Sequence, residues 1–267
     1  MPEIRLGELG VLKRVVNPPG TDELAQALDK LETDKFHAVA RYSKAISHEL
    51  AVVELPGLSV GTFRLGQVIV YLVRVRTLAE ILVPALADHS WGEIGSIKDN
   101  SCKVELLEDV PGARRISGPV ELTRADLNWI GSNFLRFFHL YLDLNNFHLA
   151  VDSLARCHLE GSERMMVATL WSGIEALFSI DHELRFRLSS YIASVLEPSG
   201  EIRQNLYDRV KQLYDIRSTV VHGEEISKKK LVEHIKEVRK LLSRLLCKFT
   251  EKGKVPNQKE IEKIVFT

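Results

Sequence analysis

The sequence has few cysteines, and the three present, Cys102, Cys157 and Cys247, lie far apart. Their number is odd and their spacing matches neither a disulfide framework nor a metal site. Such thiols are typical of reduced cysteines in a cytosolic protein. No group of His, Cys and Asp residues has metal-ligand spacing in the sequence. We therefore expect no bound metal and no other cofactor.

The chain also lacks an excess of charge of one sign and a long apolar run. It carries 36 Lys+Arg and 36 Asp+Glu, so no global positive field attracts nucleic acid, and any contact with it would be local. The most apolar window, 68–87, is interrupted by Arg74, Arg76 and Glu80, which makes it costly to place in a bilayer. The first ten residues lack the basic-then-apolar pattern of a secretory signal. These absences predict a cytoplasmic protein with no membrane partner.

Several motifs of common enzyme classes are missing as well. The sequence has no Gly-rich phosphate loop, and Ser172-Gly173 lies inside a predicted helix, where it does not form a nucleophile elbow. With 45% hydrophobic and 27% charged residues, the composition is that of a globular protein. Its 267 residues suffice for one large domain or two modest ones.

Residues 1–122 show mixed patterns that predict an α/β region. Proline and glycine pairs break this part of the chain into short segments, and its apolar runs are rich in valine and small residues. The predicted elements are a short helix at 22–31 capped by Thr21, strands within 36–60, a strand or helix start at 68–75, a helix at 77–86, a strand at 102–107 and a loop at 108–119.

From Thr123 onward the pattern is helical, with apolar residues at spacings of three and four. Ser, Thr and Gly stand at the positions where helix caps belong, notably Thr123, Ser227 and Gly223. The predicted helices are 124–142, 146–158, 164–178, 183–196, 201–221 and one that follows Ser227. Short loops between them predict an antiparallel helical bundle over 123–267, so the expected fold class is mainly α, with a mixed α/β region in front.

The residues that suggest chemistry end the helix predicted at 201–221. Arg217 is followed five positions later by His222, and Gly223 comes next. The planar guanidinium of arginine matches phosphate oxygens, and a histidine ordinarily exchanges a proton near neutral pH. The pair is therefore suited to hold a phosphodiester and move a proton, although such a pair alone is a weak signal.

The segments around this pair resemble a known family. They are 146–156, 170–178 (LWSGIEALF), 183–184, 187–189 and 213–223 (LYDIRSTVVHG). Together they resemble the HEPN superfamily, specifically the Apea-like HEPN domains of prokaryotic defence proteins. The resemblance covers about residues 123–250, roughly half of the chain. Residues 1–122 resemble no family.

This resemblance implies a bundle that dimerises so that two Arg–His motifs face one cleft. Active members are metal-independent endoribonucleases, so Arg217 and His222 would be the catalytic pair, with a 2′,3′-cyclic phosphate as product. Ser218 stands where many members have Asn, Asp or His, and serine is normal there for the Apea-like branch. The expected function is an RNA-cleaving hydrolase of an antiviral-defence or toxin-type system. RNA, a second copy of the chain and a partner protein of that system are the expected partners.

An alternative from a different class is a non-catalytic dimerisation or RNA-binding module. In that case Arg217 forms a structural ion pair with Asp215 or Glu175, and His222 caps its helix, where a cation favours the dipole. Glu175 is expected to orient Arg217 or simply to pair with it, because a lone carboxylate in an apolar helix is costly.

The residues near the pair have two interpretations as well. Tyr214 is expected either to stack on a base or to pack, and packing is favoured. Lys228, Lys229 and Lys230 open a predicted helix, where cations oppose the dipole. They are interpreted either as phosphate contacts beside the cleft or as a solvated lysine run.

Overall fold

The computed structural model describes residues 3–28, 33–53, 61–108, 116–118, 120–180 and 183–265, and the chain is mainly helical. This confirms the mainly α class. The helices of the described residues are α1 Thr21–Ala27, α2 Thr33–Ser43, α3 Thr62–Thr77, α4 Arg124–Asp143, α5 Asn145–Arg156, α6 Glu163–Phe178, α7 Leu184–Leu196, α8 Glu201–Val221, α9 Lys228–Lys252 and α10 Gln258–Val265. The strands are β1 Ile4–Arg5, β2 Gly10–Arg14, β3 His48–Val52, β4 Ala85–Ala87 and β5 Val104–Leu106.

The chain forms two compact units, each built from separate segments. The strand-bearing unit comprises residues 1–70, 81–111 and 122–132, and the helical unit comprises 71–80, 112–121 and 133–267. In the described part of the chain, every helix falls short of the length or the apolar composition that a membrane crossing needs.

The strand-bearing unit contains two small antiparallel sheets. One has the order β1-β2-β3, with Gly10 opposite Val52, and the other pairs β4 with β5. Gly10 is required at its position, because a Cβ atom there would lie 2.2 Å from the carbonyl oxygen of Ala51. A core of buried residues from α1, α2 and segments outside these helices holds the unit together: Val15, Leu24, Ala27, Leu28, Val39, Trp91, Ile94 and Cys102.

Several local predictions for this unit are wrong. Residues 36–43, predicted as strand, lie in α2, where Ala38, Val39 and Ser43 are buried; a short apolar run does not distinguish the two states. The helix predicted at 77–86 is absent from those described residues. Leu78 has a left-handed φ of 58°, and Pro84 has no N–H to continue a helix.

Other local predictions for this unit fare better. The 68–75 segment is helical, as part of α3. The strand predicted at 102–107 is confirmed at β5, and β3 lies within the strand region predicted at 36–60. Gly20, not Thr21, is the N-cap of α1. Most of the predicted 108–119 loop lies outside the described residues.

The helices from residue 124 onward follow the prediction closely. The helices α4 to α9 begin and end within a few residues of the predicted bounds, and only α10 was not predicted. Ser162 and Ser227 accept hydrogen bonds from Met165 N and Lys230 N, as N-caps do. Thr123 Oγ1 accepts from Asp126 N at 3.2 Å, which confirms the cap of α4.

Helix α6 lies at the centre of this unit, packed against α5, α8 and α9. Its Trp171 is fully buried. Gly173 permits the close approach of α5, because a Cβ atom there would lie 2.7 Å from the Cβ of Ser153. The Ser172-Gly173 pair lies within a helix, as predicted, and Gly173 is the member that packs. The aromatic side chains of α4 in this unit, Phe134, Phe137, Phe138 and Tyr141, are buried in the core.

Candidate functional site

Helix α8 ends in a Schellman motif that places His222 at the C-cap. The His222 N–H donates to Ser218 O at 3.0 Å. Gly223 has a left-handed φ of 79° and donates to Val220 O at 3.3 Å, and Glu224 N donates to Thr219 O at 3.1 Å. This hydrogen-bond pattern defines the motif. The predicted role of Gly223 is confirmed, and the helix end fixes the backbone from which the imidazole projects.

Arg164 of α6 holds this helix end from the side. Its Nη1 donates to Val220 O at 2.8 Å and its Nη2 donates to Glu224 O at 2.6 Å. The guanidinium thus satisfies carbonyls on both sides of His222 with charge-assisted bonds. The sequence did not identify this residue. The one feature of the sequence that could have indicated it is the position of Arg164 in the first turn of a helix, where the helix dipole disfavours a cation.

Arg217 lies one turn before the helix end, in contact with α6. Its Nη2 is 3.1 Å from Glu175 Oε1, and the two side chains are 23% and 22% exposed. The contact is an ion pair without hydrogen-bond geometry, since Glu175 Oε1 and Arg217 Nε have no hydrogen-bond partner among the described residues. The predicted pairing of Arg217 with Glu175 is confirmed. Among the described residues, the Nε–H of Arg217 thus has no hydrogen-bond acceptor.

The alternative partner of Arg217, Asp215, is engaged elsewhere. Arg185 Nε and Nη2 donate to the two oxygens of Asp215 at 2.5 and 2.7 Å. This bidentate pair lowers the pKa of Asp215. At Glu175, by contrast, burial raises the pKa, and the nearby Arg217 opposes that rise. The Glu175 carboxylate is thus partly desolvated, and its pKa depends on the charge of Arg217.

Tyr214 packs between Arg217 and the core. The Arg217 Cζ lies 5.3 Å from the Tyr214 ring centroid, and the Tyr214 ring meets Trp171 edge-on with centroids 5.3 Å apart. Burial raises the pKa of the Tyr214 hydroxyl, so the phenol is neutral. Within this chain Tyr214 therefore packs. Tyr214 supports the guanidinium by a cation–π contact.

A buried histidine that the sequence did not single out lies beneath this stack. Trp171 Nε1 donates to His234 Nε2 at 3.1 Å, so the neutral ring carries its proton on Nδ1. That Nδ1 has no hydrogen-bond partner among the described residues. Burial lowers the pKa of His234 to about 4. The ring is therefore uncharged at neutral pH.

This shift predicts an acid-sensitive core. Because the folded pKa lies below the unfolded value of 6.5, the unfolded chain binds more protons as the pH falls from about 6.5 towards 4, and the native state loses stability. We expect protonation of His234 to lower the free energy of unfolding by roughly 2–3 kcal/mol over this range. Urea unfolding at pH 7 and pH 4.5 measures it against His234→Gln, which keeps an acceptor for the indole and removes the titration. An equal pH dependence of both proteins would contradict the assignment.

The other predicted site residues surround the end of α8. The His222 side chain is exposed and makes no hydrogen bond or ion pair with the residues that the structure describes. Lys228, Lys229 and Lys230 form the exposed first turn of α9. Lys228 Nζ is 4.0 Å from Glu163 Oε1, although its side chain is 82% exposed. Ser218 takes part through its backbone carbonyl, as the acceptor of the His222 N–H.

The structure therefore joins Arg217, Glu175 and Tyr214 in one contact cluster. It places His222 a turn further along α8, at the exposed helix end that Arg164 holds. The cluster offers a partly desolvated cation, and the helix end offers a free imidazole. No protein-family model, curated protein or solved structure matches this chain.

Proposed function

We propose that the chain is a metal-independent endoribonuclease of the HEPN type, an effector of a prokaryotic defence or toxin-type system. In this proposal the helical unit is a HEPN-type antiparallel bundle, and two copies bring their Arg217 and His222 to one cleft. The proposal begins from the Apea-like pattern of residues 123–250. The geometry at the end of α8 supports it.

The observation that carries the proposal is the free imidazole of His222. It is exposed and has no hydrogen-bond or ion-pair partner among the described residues. His234, by comparison, is buried and accepts the Trp171 indole N–H. A histidine held on a rigid helix end without a structural task is available for proton transfer.

The chemistry requires two proton transfers and one charge stabilisation. His222 takes the proton of the RNA 2′-hydroxyl, whose oxygen attacks the adjacent phosphorus. The bond from phosphorus to the 5′ oxygen breaks, and that oxygen receives a proton. The products are a 2′,3′-cyclic phosphate and a 5′-hydroxyl. Arg217 stabilises the charge that develops on the phosphorane oxygens, as the guanidinium geometry permits.

A composite site solves a geometric difficulty of this mechanism. Five helical positions separate Arg217 from His222 by roughly 140° around α8. One copy therefore directs the two groups to different sides of the helix. In a dimer with two-fold symmetry, the partner subunit's His222 can supply the second proton-transfer group. The exposed Lys228, Lys229 and Lys230 would contact phosphates of the bound RNA.

The second candidate function is a non-catalytic dimerisation or RNA-binding module. One observation favours it: Arg217 already forms an ion pair with Glu175 of the same chain. In this case the guanidinium serves the packing of α6 against α8. The exposed lysines would still hold RNA, but no bond would break.

RNA cleavage without metal tests the proposal directly. Purified protein with excess EDTA should cut total RNA or tRNA and leave 2′,3′-cyclic phosphate ends. A matched oligonucleotide with 2′-deoxy sugars should bind and stay intact, because its attacking hydroxyl is missing. Intact RNA that nevertheless forms a complex with the protein would favour the binding module. Cleavage of the deoxy substrate would contradict the mechanism.

A further inference from the structure

A second group of chemically reactive side chains lies in the strand-bearing unit. One ligand atom each from Asp88, His89 and Cys102 lies within 4.8 Å of the other two. It is the one such His, Cys, Asp and Glu group of three or more found among the described residues. The sequence conceals it, because Cys102 is 13 positions from His89 along the chain.

Strand pairing explains the juxtaposition. The β4–β5 ladder ends with Ala87 opposite Val104. One position further, Asp88 N donates to Lys103 O at 3.1 Å, and Lys103 N donates to Asp88 Oδ1 at 2.9 Å. Continuing the antiparallel register sets His89 opposite Cys102. Hydrogen bonds therefore fix Asp88 against Lys103, and His89 and Cys102 are their immediate neighbours along the two segments.

Cys102 is anchored from its other side as well. Its N–H donates to Ala27 O at 3.0 Å, and Leu28 forms a parallel β-bridge with it. The residue is fully buried in the core of the unit. The thiol thus has a fixed position, and it does not depend on a flexible loop.

The group is open to solvent on one side. The side chains of Asp88 and His89 are 37% and 44% exposed, and Asp88 Oδ1 lies 2.7 Å from His89 Nδ1. An ion can therefore enter between the carboxylate and the imidazole, where it would replace their hydrogen bond. The buried thiol forms the base of the site. One sulfur, one nitrogen and one oxygen donor form the mixed set that zinc accepts.

We propose that Asp88, His89 and Cys102 bind a zinc ion, with water at the remaining coordination position. This inference is independent of the proposed ribonuclease activity, whose residues belong to the helical unit. Three protein ligands and one open position are the pattern of zinc sites that also admit a further ligand.

The local electrostatics of Cys102 are not those of a nucleophilic cysteine. Burial and the neighbouring Asp88 raise the pKa of Cys102 to about 12. The metal-free thiol is therefore protonated, unlike a catalytic thiolate. A bound divalent cation reverses this effect, because it displaces the thiol proton and is attracted by the carboxylate.

Cobalt binding to the full chain tests the proposal, because a cobalt–thiolate bond gives a charge-transfer absorption band. Reduced protein, stripped with EDTA and desalted, should bind one Co²⁺ per chain with that band, and one equivalent of Zn²⁺ should abolish it. Cys102→Ser should lose the band. His89→Ala and Asp88→Asn change exposed side chains, and each should weaken binding at least about tenfold.

Matched controls separate this site from adventitious binding. Cys247→Ser removes another buried thiol, and His37→Ala removes another exposed imidazole; both should bind cobalt like the wild type. A band that survives in Cys102→Ser, or wild-type protein that binds no stoichiometric metal, would overturn the proposal. Should Cys102→Ser fail to fold, unchanged binding by both His89→Ala and Asp88→Asn would also overturn it.

Discussion

Replacing His222 by alanine is expected to reduce RNA cleavage by about 10²–10⁴-fold, the usual contribution of a general acid or base. The folded chain should keep its stability to within about 0.5 kcal/mol, because the side chain is exposed and the cap of α8 depends on backbone groups. Cleavage rates in EDTA and urea unfolding curves for the same preparations measure both quantities. RNA binding should persist, since the lysines at the start of α9 are unchanged.

His139→Ala is the matched control, because His139 is another exposed histidine of the helical unit. It should cleave RNA like the wild type. If His222→Ala and His139→Ala cleave equally well, His222 is not the proton-transfer group. Arg217→Lys adds a further comparison. This variant keeps a positive charge near Glu175 but loses the planar guanidinium. If Arg217 is catalytic, the cleavage rate should fall; if Arg217 is purely structural, lysine should largely restore the ion pair and the rate should change little.

Replacing Glu80 by alanine is expected to destabilise the helical unit by about 3–5 kcal/mol, the usual cost of leaving one member of a buried ion pair unpaired. Arg239 Nη1 lies 2.5 Å from Glu80 Oε1, and the two side chains are 3% and 8% exposed. Glu80 also accepts the N–H groups of Ile116 and Ser117 at 2.8 and 3.0 Å. The variant removes the carboxylate from the buried Arg239 charge and from two backbone donors, although Arg239 keeps its hydrogen bonds to Ser117 Oγ and Leu78 O.

Glu237→Ala is the control for that experiment. Glu237 forms a bidentate pair with Arg209 at 2.8 and 2.5 Å, but both side chains are largely exposed, at 39% and 46%. Solvent screens such a pair, so its loss should cost no more than about 1 kcal/mol. Urea unfolding of both variants gives the comparison. Equal losses of unfolding free energy in the two variants would show that burial does not determine how much the Arg239–Glu80 pair stabilises the protein.

Local signals were sufficient where one helix face and its caps specify the element. The bounds of α8 and the caps Ser162, Ser227 and Gly223 follow from apolar spacing and from side chains that bond the nearest backbone groups. These interactions span at most five residues. The sequence therefore contains them, together with the choice of Arg217 and His222 as candidates.

Local signals failed where a distant contact decided the state of a segment. Residues 36–43 were predicted as strand, yet they form α2 and bury Val39 in the core of their unit. Leu78, directly after α3, has a left-handed conformation. Residues 78–84 that follow the helix are not helical. Propensity differences of a few tenths of a kcal/mol are smaller than the burial of one apolar side chain.

By itself, the sequence determined the helices of the second half, their caps and the Arg217–His222 pair. Only the tertiary structure decided which side chains meet: Glu175 with Arg217, Arg164 with the carbonyls beside His222, and Asp88 and His89 with Cys102. Helix propensity and capping act between residues a few positions apart, so the sequence displays them. Ion pairs and candidate ligand sets form between residues that the packing of the chain brings together. These residues are far apart in the sequence, so their positions along the chain do not show that they are close in space.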